Sequence, residues 1–141
     1  MAKFSFAVIK IGKEGEELRE TVSISYIEPE KGEKTIVIPS QADGKPVTHI
    51  GYIQGKEPGE MRYHDWHHPG QGFDGYEPGR FYAKETSLFE FPKGITKMII
   101  PAEIECISPR AYSNSKYITY EISPENRFFR AEGNKIFRKK H

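Results

Sequence analysis

His64, Asp65, His67 and His68 fall within five residues and carry the imidazole nitrogens and carboxylate oxygen that transition metals bind readily. Closed around one ion they would make a structural site. With a position left open to water, His64, His67 and His68 would serve a metal-dependent enzyme. Their spacing is not that of known zinc sites, and side chains on adjacent residues rarely aim at one ion. The preferred reading is a loop whose imidazoles pack on aromatic rings or face water. Metal binding through the three histidines stands as the alternative.

The same stretch is rich in rings. Tyr63, Trp66, Phe73 and Tyr76 sit in a Gly- and Pro-rich segment, 54–86, that also contains Phe81 and Tyr82. Long irregular segments are uncommon in compact domains, and aromatic side chains in them are candidate binding anchors. These four are the candidate contacts for a peptide or carbohydrate, against burial of the same rings in a core. Gly70-x-Gly72-x-x-Gly75 matches the dinucleotide fingerprint in letters only. His-His-Pro precedes it and Tyr-Glu-Pro-Gly follows, where the motif needs a strand and then a helix N-terminus. Cys106 paired with a histidine could form a nucleophile, but it lies between Ile104 and Ile107 at a repeat position and reads as structural. No serine sits in a G-x-S-x-G elbow. No catalytic residue and no cofactor are expected.

The elements that would position such groups are strands. Sixteen Ile against two Leu favours sheet, since β-branched side chains are stiff at χ1 and pack well on a pleated surface. Ten Pro and thirteen Gly would interrupt long helices. Phe4 to Ile11 and Thr21 to Ile27 read as two strands joined by a loop bearing Glu14, Glu16, Glu17 and Glu20. Alternation places Val22, Ile24 and Tyr26 on one face. The acidic loop lacks the spaced ligands of a calcium loop and reads as solvated.

A repeat organises the rest. Ile95, Met98 and Ile100 recur as Tyr117, Tyr120 and Ile122, each 22 residues on, with Ile104 and Ile107 supplying inward positions between them. Such a period suits a solenoid in which each coil buries its apolar face on its neighbour. Ile36-Val37-Ile38-Pro39 followed by Asp43-Gly44-Lys45-Pro46-Val47-Thr48-His49-Ile50-Gly51 resembles the BspA-like leucine-rich repeat family of bacterial proteins. So does Ile100-Pro101-Ala102-Glu103-Ile104-Glu105-Cys106-Ile107-Ser108. Ile122-Ser123-Pro124-Glu125-Asn126 and Gly133-x-x-Ile136-Phe137 resemble that family's final turn and closing strand. Ala111-Tyr112 matches its A-F landmark, which has no counterpart after Gly51. Leu88-Phe89-Glu90-Phe91-Pro92 is a further, degenerate candidate copy. The resemblance covers 35–51 and 95–137 and implies a non-enzymatic binding or adhesion module.

Composition sets the frame. Leu, Ile, Val and Phe make up about 22% of the 141 residues, and 21 basic residues nearly balance 20 acidic ones, which argues for a folded domain with a polar surface. A net charge of +1 supplies no global basic field, so no nucleic-acid partner is expected, and the basic, aromatic C-terminus reads as a solvated end strand. One cysteine excludes an intrachain disulfide. No membrane span and no signal peptide are expected; the chain as given reads as cytoplasmic, or as surface-exposed or secreted if a leader was removed. The expectation is a mainly β, right-handed leucine-rich-repeat-like solenoid forming a single domain. Residues 1–30 form an N-terminal β-hairpin cap, 31–53 a first repeat, 54–90 an irregular insertion and 91–141 the C-terminal repeats and closing strand. The partner is a protein or carbohydrate, with self-association through the solenoid ends as a structural alternative.

Overall fold

The computed structural model describes residues 1–11, 17–54, 83–85, 89–108, 111 and 117–139. Its described elements are β1 (Lys3–Ile11), β2 (Arg19–Glu28), β3 (Thr35–Val37), β4 (Gln41–Ala42), β5 (Lys45–Ile50), β6 (Tyr52–Gln54), β7 (Ala83–Glu85), β8 (Lys97–Ile100), β9 (Cys106–Ile107), β10 (Thr119–Ile122), β11 (Phe129–Glu132) and β12 (Lys135–Arg138). The fold is mainly β, around a curled, half-barrel sheet. Among the described residues no helix is long and apolar enough to cross a membrane.

β1 and β2 form the expected antiparallel hairpin, and β2 continues the sheet by pairing in parallel with β5, which pairs in parallel with β9. A second sheet has the order β10-β8-β3, all parallel. The chain therefore passes twice from the small sheet to the large one, from β3 to β5 and again from β8 to β9. The β8–β10 register sets Lys97 against Thr119, Met98 against Tyr120 and Ile100 against Ile122, an offset of 22 residues at every rung. Backbone bonds extend the stacking past the strand ends, from Ser123 N to Ile100 O at 3.0 Å and from Ser108 N to Ile50 O at 2.8 Å.

One apolar core lies between the sheets. Val22, Ile24, Val47, Ile50, Ile104 and Ile107 reach it from the large-sheet side, and Ile36, Met98, Ile100 and Tyr120 from the other. A fully buried Ile contributes roughly 1.5–3 kcal/mol, so these positions carry much of the fold's stability. The Asp43-Gly44 turn joins β4 to β5 with φ of 52° and 76°, the two positive values that a two-residue hairpin of this hand needs.

Two expected positions are corrected. Tyr26 does not share the core face with Val22 and Ile24; it is 57% exposed, and Ile27 is buried instead. Ser5 pairs with Tyr26 and Phe6 with Ile24, so Ser25 is the extra residue of a bulge, and the alternation flips after it. Tyr117, 22 residues after the buried Ile95, is 78% exposed, and its neighbour Ile118 enters the core. The first position of the repeat thus slips by one residue. Phe89 and Phe91 are buried edge to face, 5.7 Å apart, but belong to no described strand.

Candidate functional site

Tyr63, His64, Asp65, Trp66, His67, His68, Phe73 and Tyr76 lie outside the described residues, as do Glu14 and Glu16 of the acidic loop. The described ends of the 54–90 segment are informative. Gln54 on β6 stands opposite Ala83 on β7 in an antiparallel ladder, so the two positions lie side by side.

The large sheet has a second buried side, polar as well as apolar, because β2, β5 and β9 each bury residues on both faces. Ile9, Ile11, Tyr52 and Cys106 cluster there. Register brings His49 beside Ser23 on one side and Cys106 on the other. The Cys106 thiol donates to the Tyr52 hydroxyl at 3.0 Å, and the His49 and Tyr52 rings meet edge to face at 5.4 Å. Thr48 Oγ1 lies 2.8 Å from Thr21 Oγ1 and 2.7 Å from His49 Nδ1. If Thr48 spends its one hydroxyl proton on Thr21, His49 carries its own proton on Nδ1. The Arg19 guanidinium closes this side, donating to both carboxylate oxygens of Glu105 at 2.5 and 2.6 Å.

This cluster resembles a Cys–His pair in composition and differs from one in electrostatics. Burial, then the positive charge of Arg19, lowers the His49 pKa from 6.5 to about 3. The imidazole is therefore neutral at physiological pH and offers no positive charge to favour a thiolate. Cys106 is 1% exposed. The arrangement seals a strand interface, in keeping with the structural reading of Cys106. Its partners Tyr52 and His49 were not legible as partners, because the pairing of β5 with β9 is what brings Cys106 to residues 49 and 52.

The surface offers more to a ligand. Phe91-Pro92-Lys93 lines two surface grooves. One groove, about 650 Å³, runs along Ser25, Tyr26, Ile27 and Pro29; the other, about 430 Å³, runs along Gly94, Ile95, Ala111, Tyr117 and Ile118. Glu90 and Lys93 line both. The two tyrosines displaced from the core, Tyr26 and Tyr117, thus each line one of two grooves that share Phe91, Pro92 and Lys93. Among the described residues no group of three or more His, Cys, Asp or Glu could hold a metal ion.

No family model, curated protein or solved structure matches this chain.

Proposed function

We propose that the chain is a non-enzymatic, adhesion-type repeat module that binds a glycan or protein ligand, its parallel coils arranged as a short leucine-rich-repeat-like solenoid related to the BspA-like family. The observation that carries this is the pair of grooves sharing Phe91-Pro92-Lys93, each lined by an exposed tyrosine. An exposed ring gains little for the free protein and offers a flat apolar face to a sugar ring or a peptide side chain. Glu90 and Lys93 add an acceptor and a donor within reach of the same ligand. The 22-residue offset between β8 and β10 and the neutral, buried His49 of the large sheet agree with a scaffold whose chemistry is at its surface.

The test is a glycan and peptide array probed with the wild type and with Tyr26→Ala and Tyr117→Ala variants. A ligand retained by the wild type and lost in either variant, with the melting temperature unchanged, supports the reading. Equal retention by all three proteins rejects the grooves.

Self-association is a second reading, favoured by β3. Among the described residues this strand pairs on one side only, and Val37 is 57% exposed on it. A short open edge can accept a strand from another copy. Light scattering across a concentration series tests it: mass that rises for the wild type and stays monomeric for Val37→Lys supports pairing through β3.

A further inference from the structure

Charge in this chain is nearly balanced in total but not in place. Residues 127–141 hold six of the 21 basic residues and one of the 20 acidic ones, so the rest of the chain, with 15 basic and 19 acidic, is net negative. Most of this basic segment folds as the terminal hairpin β11–β12.

The hairpin register sorts its side chains into two faces. Phe129 and Ile136 point into the core. Arg130 pairs across the strands with Phe137 and Glu132 with Lys135, which puts Arg130 and Lys135 diagonally across the outer face. The Arg130 guanidinium lies over the Phe137 ring at 4.5 Å, so its cation is held in place on the surface. Lys135 is exposed and forms no ion pair with a described residue, and neither does the exposed Arg127 just before β11. Lys139 donates from Nζ to the Asn126 carbonyl at 2.5 Å, bringing another cation to the hairpin's base. The opposing charges are Glu132, bonded to Arg130 at 2.8 Å, and Glu125 in the preceding turn.

We infer that the outer face of β11–β12 docks a polyanionic polysaccharide, one bearing sulfate or carboxylate groups along its length. Arg130 and Lys135 on the outer face, with Arg127 and Lys139 at the hairpin's base, outnumber Glu132 and Glu125 and supply the charge complementarity. The rings argue for this polymer over single-stranded nucleic acid, which needs open aromatic faces on which bases stack. Here Arg130 covers Phe137 and Phe129 is buried. The inference goes beyond the groove reading and does not depend on it, since the hairpin shares no residue with either groove.

The experiment titrates the full chain with a heparin-derived octasaccharide at several salt concentrations. Binding at low salt that weakens as salt rises is expected. Arg130→Gln/Lys135→Gln should lose about tenfold in affinity and flatten the slope of log K against log salt by about 1.5, following counterion release for two cations. Glu132→Gln, which removes the opposing carboxylate, should bind more tightly than wild type. It decides the question even if the double variant proves unstable. Tyr26→Ala should bind the octasaccharide like wild type, so failure of the groove reading leaves this result intact. No binding at low salt, equal affinity in all variants, or tighter binding of a single-stranded oligonucleotide of matched charge would overturn the inference.

Discussion

Asn126 and Ile104 are 22 residues apart and joined through the asparagine side chain, whose Nδ2 donates to the Ile104 carbonyl at 3.0 Å. The same nitrogen donates to Pro101 O at 3.0 Å, while Oδ1 accepts from the backbone nitrogens of Phe128 and Phe129 at 2.8 Å each. One fully buried amide therefore holds the terminal turn against the segment from Pro101 to Ile104. Asn126→Ala would leave these backbone groups without their partner, at about 1–3 kcal/mol for each buried group left unsatisfied. Urea denaturation should show a total loss of about 3 kcal/mol or more. Asn126→Asp keeps an acceptor but sets a carboxylate against two carbonyl oxygens, and should also be destabilised.

Gly51 and Gly44 separate two costs of adding a methyl group. Both have positive φ, 89° and 76°. A Cβ at Gly51 would stand 2.7 Å from Ser108 Cβ and 3.1 Å from the Phe89 ring, whereas nothing lies within 4 Å at Gly44. Gly44→Ala should cost about 1 kcal/mol for conformation alone. Gly51→Ala should cost at least about twice that, since Ser108 and Phe89 must move away to admit the methyl. Chemical denaturation of the two variants side by side measures the difference.

The neutral His49 makes stability depend on pH. The unfolded imidazole takes up a proton below pH 6.5, while the folded one does so only near 3. The contribution is complete above 6.5 and is lost progressively as pH falls toward 3. Wild type should therefore lose stability across that window more steeply than His49→Gln. Thermal melts from pH 7 down to 4 check this, and parallel curves would remove His49 as the cause.

Cys106 should behave as an inert thiol. At 1% exposure and bonded to the Tyr52 hydroxyl, it should react with an aromatic disulfide reagent only as fast as the fold opens. One equivalent should appear promptly in denaturant and slowly without it. Prompt reaction in the native state would mean that the Tyr52–His49 side of the sheet is accessible.

Much of the framework was legible. The β-branched composition pointed to sheet, and the 22-residue spacing to the rung pairing of Met98 with Tyr120. The first signal is a local propensity and the second a spacing that in-register strand pairing preserves. The misplaced tyrosines failed for one physical reason. A bulge at Ser25 and a one-residue slip at Ile118 each reverse which neighbour enters the core, and simple alternation cannot encode an extra residue. The His49–Tyr52–Cys106 contacts were illegible because they arise from strand partners 57 residues apart. The basic, aromatic C-terminus was visible in the sequence, but which of its side chains share the outer face depends on the β11–β12 register.

The ladder between Gln54 and Ala83 has a further consequence. When two ends are fixed side by side, the entropy of closing the chain between them grows only slowly with its length. Closure entropy therefore sets only a weak limit on the length of the sequence that β6 and β7 join, and the pairing of these two strands is decoupled from that length.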